Sequence, residues 1–402
     1  MENISHTLAG FALARAGLGG GRRLRTAALV VGSNLPDIDL LWSLRGGPAI
    51  YLGEHRGFTH SILGGALLAL GLGTLLWAAE CRLERPFRNG LSSRSAHLLA
   101  SLNLSFLAVF LHLGFDFLND YGLRPFLPFS DRWYYGDIVF IVDPWFWLLL
   151  GGGLHLSMPF QRRRVLLEIL AWIGWGVLSM PVMLAQVVPA EARAIWVVGL
   201  LTLALLRALR AGAFKELGGF GAGHAAWPAG EFMAPSAALL ALVLYCLSLF
   251  SLHSLAKARA SNQLARQQPV ARRLAALPLP ADPFHWKLIF EQGSTFFTGE
   301  VSAWPGGSDA AELERWESNL DLPEARAALG TPTGRAARGF CRYLFADIRH
   351  GPSGPVVAFR DARYASRGHD DWATFVVSLD TRINSMNSCQ FLPSMEFSSL
   401  KL

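Results

Sequence analysis

The chain has 402 residues, of which 52% are apolar and 16% charged, against about 25% charged in an ordinary soluble domain. That balance, with a mean hydropathy of +0.31, argues against a purely soluble enzyme. The net charge of +6 is not read as a nucleic-acid footprint, because many of the arginines sit in short loops between apolar runs, where basic residues orient a chain in a membrane. The four cysteines, Cys81, Cys246, Cys341 and Cys389, have no CxxC spacing, which excludes a zinc ribbon or a thioredoxin-type site.

A helix needs about 20 mainly apolar residues to cross the hydrocarbon core. In chain order, Ile4–Leu18 and Thr26–Trp42 are weak candidates. Phe58–Ala79, Ala96–Leu118, Ile138–Met158, Val165–Val188, Ala194–Leu209 and Ala234–Ala256 are strong ones. The first follows Met1-Glu2-Asn3 with no basic stretch before it, so it reads as a retained helix and not a cleaved signal peptide. About eight spans place Gly19–Arg25, Cys81–Ser95, Gln161–Arg164 and the Arg207–Met233 connection on one side, with 13 basic residues, and leave 5 in the opposite loops. Positive loops stay cytoplasmic, so the chain end is expected outside the cytoplasmic membrane.

The expected fold is a polytopic α-helical membrane bundle with a C-terminal soluble α+β domain. Residues 1–158 carry the polar residues of interest, 159–256 add further spans, 257–280 read as a polar linker, and 281–402 form the extracytoplasmic domain. In that domain Trp286–Gln292, Thr295–Trp304, Tyr343–Ile348, Val356–Tyr364 and Ala373–Asp380 read as strands. A helix is expected over Asp309–Leu329. An outside location permits a disulfide between Cys341 and Cys389, with pairing and free thiols both open.

Ionisable groups inside spans are costly and usually functional. Here five segments deliver them to one level of one face. His6 begins the first helix, Asn34-Leu-Pro-Asp-Ile-Asp39 closes the second, Glu54-His-Arg-Gly-Phe-Thr-His-Ser61 opens the third, and His112-Leu-Gly-Phe-Asp-Phe-Leu-Asn-Asp120 closes the fourth. Asp137 and Asp143 flank the fifth. His112, Asp116 and Asp120 are four apart and share one helix stripe. Pro36 helps the chain bend at Asp37 and Asp39, Gly57 tightens the turn, and Thr59 is placed to cap the third helix. Each piece alone also fits a solvated turn or a structural pair; their coincidence points to a metal site. Imidazoles and carboxylates without thiolates suit Zn²⁺, with Mn²⁺ or Fe²⁺ as alternatives, and more than four ligands hold two or three ions.

At these residues the sequence resembles the predicted membrane-bound metal-dependent hydrolases, the YdjM-like inner-membrane family. The likeness lies in Leu35-Pro-Asp-Ile-Asp39, His55-Arg-Gly-Phe-Thr-His-Ser61, His112-x-x-x-Asp116, Asp120-Tyr-Gly-Leu-Arg-Pro125 and His6-Thr-Leu-Ala-Gly10, across roughly Met1–Met158. It implies a multi-pass protein of a bacterial cytoplasmic membrane with a metal-dependent, phospholipase-like activity. The His-x-x-x-Asp element is also distantly similar to that of the zinc phospholipase C and P1 nuclease group, whose N-terminal tryptophan ligand this chain lacks.

The expected function is hydrolysis of a phosphoryl-containing lipid or lipid-linked substrate at the outer face. His6, Asp37, Asp39, His55, His60, His112 and Asp116 are the expected ligands, and Asp120 the general base or the acceptor behind a liganded imidazole. Arg56 and Arg124 are candidates for phosphate oxygens, with headgroup anchoring as their other reading. Trp133, Tyr134, Tyr135, Trp145 and Trp147 read as an interfacial belt. A cation transporter or metal sensor with a partner-binding outer domain is the alternative. A permeation path would put acids along the depth of the bundle, and the inner half shows almost none except Glu168.

Overall fold

The computed structural model describes residues 1–42, 52–53, 55–83, 91–158, 165–211, 230–267, 272–304, 313–351, 354–366 and 373–379. Among these, five helices are long and apolar enough to cross a membrane: Ile62–Leu83, Arg94–Leu118, Val165–Leu184, Ala190–Arg210 and Phe232–Ala265. They belong to α3 (Ile62–Leu83), α4 (Leu91–Leu118), α6 (Val165–Leu184), α7 (Ala190–Ala211) and α8 (Gly230–Gln267).

The other three expected spans are broken. The first is α1 (Asn3–Leu13) followed by a π turn, Ala14–Leu18, that ends against Gly17 at φ 115°. The second is α2 (Arg23–Gly32) with a 3₁₀ segment, Leu35–Trp42, after it. The third, α5, consists of Pro144–Phe146, a π segment Trp147–Gly151, and Gly152–Ser157. Ten or eleven helical residues rise only about 15–17 Å, so α1 and α2 are each about half a span.

Close crossings put the polar ends together. A Cβ at Gly10 would lie 2.7 Å from the carbonyl oxygen of Leu29, so α1 meets the α2 backbone directly. A Cβ at Gly73 would lie 2.9 Å from Leu102 Cα, which holds α3 and α4 as a tight antiparallel pair. The start of α3, the end of α4 and the segment after α2 therefore share one end of the bundle. At the opposite end Glu80 takes Arg22 at 2.7 Å and His97 at 3.1 Å. Glu168 takes Arg207 at 2.6 Å and His155 at 2.9 Å. Glu80, which is buried, is thus a second acid at that end, overlooked in the sequence.

The stretch expected as a linker is structured. α8 continues to Gln267, and Arg272–Leu279 is strand β1. Ala256, Ala260 and Leu264, four apart on α8, bury a face against Ala276, Trp286, Leu288, Phe290 and Val301, while the polar residues between them stay outside. The first sheet is antiparallel in the order β1, β2 (Asp282–Gln292), β3 (Thr295–Ser302), β4 (Glu314–Glu317). The second runs β5 (Leu344–Gly351), β6 (Gly354–Asp361), β7 (Phe375–Ser378). In place of one helix over Asp309–Leu329 the described residues hold β4, α9 (Pro323–Leu329) and then α10 (Pro332–Phe340). Alternation serves both faces: Trp286, Leu288 and Phe290 meet α8, whereas Ile289 joins Trp316, Tyr343 and Phe345. Cys341 forms no disulfide with a described residue, and Cys389 lies outside them.

A third cluster joins the sheet domain to the polar end of the bundle: Leu52 and Tyr121 pack with Phe340, Phe359 and Phe375. Phe340 is 2% exposed, and its ring lies 4.9 Å from that of Tyr121. Phe340→Ala is expected to cost about 3–5 kcal/mol; a lower melting temperature and earlier protease cleavage of the C-terminal sheets would register it, and an unchanged melt would contradict this packing role.

Candidate metal centre

Local chemistry aims the donors. After α2 the 3₁₀ turn carries Asp37 and Asp39 inward, and Asn3 donates to Asp37 Oδ2 at 2.7 Å. Arg56 adopts φ 55°, a left-handed conformation uncommon for arginine, and its backbone N–H donates to Asp39 Oδ2 at 3.0 Å. The short 3₁₀ turn Phe58–His60 then delivers His60. Ser61, not Thr59, caps α3, because its Oγ accepts from Gly64 N at 2.9 Å. Thr59 instead donates to Asp39 Oδ2 at 3.1 Å.

His60 and His112 point their Nε2 atoms at each other, 3.2 Å apart. Their far nitrogens are occupied. His112 Nδ1 donates to the Ser33 carbonyl at 2.8 Å, and His60 Nδ1 lies 3.1 Å from Asp39 Oδ2. That fixes the tautomers and leaves both Nε2 lone pairs for the cluster. Asp37 Oδ1 lies 3.3 Å from His60 Nε2 and 3.7 Å from His112 Nε2. Asp116 Oδ2 lies 3.4 Å from each. Four donors around Zn²⁺ at bonds of about 2.0–2.1 Å stand about 3.3–3.4 Å apart on a tetrahedron. Five edges of this one measure 3.2–3.7 Å. Asp37, His60, His112 and Asp116 thus form a group that could hold a metal ion, and Asp37, Asp39 and His55 form a second that shares Asp37.

His6 stacks on His112 with ring centres 3.8 Å apart, and its Nε2 lies 3.4 Å from Asp116 Oδ1. It is fully buried, and neither ring nitrogen has a hydrogen-bond partner. Two bare buried nitrogens beside a carboxylate fit a further ligand better than a packing role. The Met1 amino group also contacts Asp116 Oδ1. His55 Nδ1 lies 3.0 Å from Asp39 Oδ1, and burial lowers the His55 pKa, opposed by that carboxylate. Asp39 therefore meets two imidazoles, one hydroxyl and one backbone N–H, so that it stands behind His60 in the way expected of Asp120 while also belonging to the second metal group.

Arg56 does not present a free phosphate fork. It is 2% exposed. Its Nη1 donates to Asn119 Oδ1 and the Gly122 carbonyl, each at 2.9 Å, and its Nη2 to Asp116 Oδ1 at 3.1 Å. It steadies Asp116 and the turn after α4. Arg124 donates to the Gly53 carbonyl at 3.1 Å and lies 4.8 Å from the Trp133 ring centre. Asp137 and Asp143 do not join either metal group. Asp137 takes Arg342 of the sheet domain at 2.8 and 2.9 Å, and Asp143 caps Trp145 N at 2.8 Å. Trp145 and Trp147 are buried, donating to the Ala281 carbonyl and Glu2, and so are not belt residues.

Asp120 belongs to neither metal group. Its side chain is buried, and Oδ1 has no partner. Burial pushes its carboxyl up to about 6, with Arg363 opposing and Asp137 reinforcing. Arg363, from the sheet domain, donates to the Asp120 carbonyl at 2.6 Å, to the Phe340 carbonyl at 3.1 Å and to Asp361 at 3.0 Å. Nothing in the sequence around Arg363 marked it. Asn119, which the helix stripe passes over, could have been noticed as a polar residue at a helix end.

Residues 1–215 match the family described as YdjM inner membrane protein. A protein of Bacillus subtilis (strain 168) described as uncharacterized protein YfhP is 32% identical over 121 residues, which is 30% of this chain and 33% of that one. The chain therefore spans about a third of that relative's length. No solved structure matches, and the similarity to the zinc phospholipase C and P1 nuclease group gains no support from these comparisons.

Two outcomes follow from this geometry. At the group formed by Asp37, His60, His112 and Asp116, chelator competition should find Zn²⁺ binding abolished by His112→Ala and weakened about 10–100-fold by Asp39→Asn, which removes the acceptor behind His60; equal effects at that group would contradict the division of labour. Because the folded carboxyl of Asp120 holds its proton more tightly than the unfolded one, its contribution is most favourable below about pH 4 and is lost as pH rises through about 6. Asp120→Asn should thus raise the melting temperature more at pH 8 than at pH 5, and no difference between the two would refute the buried-acid account.

Proposed function

The chain belongs to the YdjM inner membrane protein family, and from that premise we propose that it is a metal-dependent hydrolase of a phosphoryl-containing lipid or lipid-linked substrate. The observation that carries the proposal is the near-tetrahedral meeting of His60, His112, Asp37 and Asp116 beside helices apolar enough to cross a membrane. A substrate could keep its hydrocarbon in the bilayer while its headgroup reaches this cluster. The excess of basic residues in one set of loops supports an outward-facing site. With that orientation the sheet domain would lie outside the cytoplasm.

His60, His112, Asp37 and Asp116 would hold one ion, most suitably Zn²⁺, and Asp39 and His55 with the shared Asp37 a second. His6 would complete the set of seven. A divalent cation there would polarise a phosphoryl oxygen and acidify a water molecule. The chain supplies the rest. Asp39 and the Ser33 carbonyl orient the imidazoles, and Arg56 holds Asp116. Asp120 is proposed to accept a proton at Oδ1, since a carboxyl with a pKa of about 6 is matched to acid–base work near neutrality. Arg124, which holds the Gly53 carbonyl, would steer a phosphate.

Against cation transport stands the far end of the bundle, where Glu80 and Glu168 are each tied to an arginine and a histidine. Protein purified in mild detergent with added Zn²⁺ or Mn²⁺ is expected to release phosphate or a phosphorylated headgroup from lipid. His60→Ala should reduce this to background and Asp39→Asn by about 10–100-fold. Metal-dependent flux into proteoliposomes with no bond broken would instead establish the transporter.

A further inference from the structure

An apolar groove of about 360 Å³ runs beside the cluster, between the start of α3 and the last turns of α4, with His60 in its wall. Its size lies within the range of about 300–1,000 Å³ usual for ligand clefts. The groove is built on one face of α4, because Phe110, Gly114 and Phe117 recur at helical spacing. Ile62 closes it on the α3 side and Phe126 overhangs it. Ile62 N donates to the Pro125 carbonyl at 2.9 Å, which ties the start of α3 to the loop after α4.

Two observations say what fills it. Ile62, Phe110, Phe117 and Phe126 are 50%, 36%, 40% and 46% exposed, on or beside two helices able to cross a membrane. Large apolar side chains in such a place face hydrocarbon and not water. Gly114 gives the second. A glycine inside a helix is unfavourable relative to alanine, and packing explains it at Gly65 or Gly73, where a Cβ would come within 2.9 or 2.8 Å of a leucine side chain. At Gly114 a Cβ would meet nothing within 4 Å. Gly71, Gly174 and Gly176 are equally open, but among these Gly114 is the one that lines the groove, where a large side chain would take up its space.

We propose that the groove seats one hydrocarbon chain of a bilayer lipid, entering sideways between α3 and α4, and that this aligns the attached phosphoryl group with His60 and the cluster. The proposal rests on the hydrolase reading for its headgroup half only. Lipid tails are as apolar as the groove, so the groove contributes alignment and little net attraction. It therefore selects for chain length, and a short chain gains little from it.

The test uses the full chain in nanodiscs containing phosphatidic acid with a photoreactive diazirine near the end of one long acyl chain. Irradiation and peptide mapping should place adducts on the segments holding Phe110–Phe117 and Phe126. Gly114→Leu, which fills the groove, should lower their yield about tenfold, the scale on which small changes of fit in an apolar pocket act. Gly114→Ala, which keeps most of the space, should retain them, and its metal content and melting temperature show that α4 tolerates a side chain there. The ratio of long-chain to dibutyryl phosphatidic acid turnover should fall about tenfold in Gly114→Leu. Adducts scattered over α6 and α7, or undiminished in Gly114→Leu, would overturn the groove. Adducts lost in Gly114→Leu, with neither phosphate nor a phosphorylated headgroup released by the unaltered protein from these lipids or from headgroup-bearing phospholipids, would uphold the groove and sink the hydrolase reading.

Discussion

Asp116 is an anion placed where an anion is least tolerated, 1% exposed in the last turn of a helix whose outer surface is apolar. An unpaired carboxylate there would cost far more than the fold could absorb. Arg56 answers it, and much of the local architecture follows from bringing Arg56 there. The loop before α3 turns through a left-handed residue so that the guanidinium reaches under the end of α4, where it also satisfies Asn119 and the Gly122 carbonyl. The same backbone reversal presents Arg56 N to Asp39. One arginine thus joins the second, third and fourth helical segments and leaves Asp116 Oδ2 facing His60 and His112.

The sheet domain extends this logic outward. Arg363 and Arg342 are buried or half-buried cations of the tail that reach the Asp120 carbonyl and Asp137 at the rim of the bundle. Tyr121 lies under Phe340 on one side and over Arg56, 4.3 Å from its ring centre, on the other. A displacement of the tail would therefore reach the arginine that holds Asp116 through a single aromatic ring. This makes the tail part of the polar end's support, and gives a physical reason for α8 to run unbroken from the bundle into the sheet.

The sequence carried much of this, unevenly. The stripe of His112 and Asp116 and the paired histidines around Gly57 were readable, because spacing alone dictates which helix face or turn they occupy. Which contacts each carboxylate makes was not, since Asp37 and Asp39 look alike in a chain and differ only in what meets them. Arg56 looked like a surface phosphate ligand because arginines are seldom buried, and burial depends on three segments at once. The continuation of α8 was legible in hindsight from Ala256, Ala260 and Leu264, which the surrounding charged residues obscured. The short helices α1 and α2 passed for spans because hydropathy does not register a π turn at Gly17 or a 3₁₀ turn after Asn34.

The two ends of the bundle solve the same problem differently, and the difference bears on what the polar end is for. At the far end each acid has its own arginine, Arg22 for Glu80 and Arg207 for Glu168, with a histidine completing the set. Such pairs are self-sufficient. At the near end Asp37, Asp39 and Asp116 face Arg56 and the Met1 amino group, while four imidazoles crowd the same space and neither ring nitrogen of His6 has a hydrogen bond. A cluster built only for stability would match acid to base as the far end does. Imidazole nitrogens and carboxylate oxygens converging within 3.2–3.7 Å, from three separate segments, form an arrangement that could hold a divalent cation.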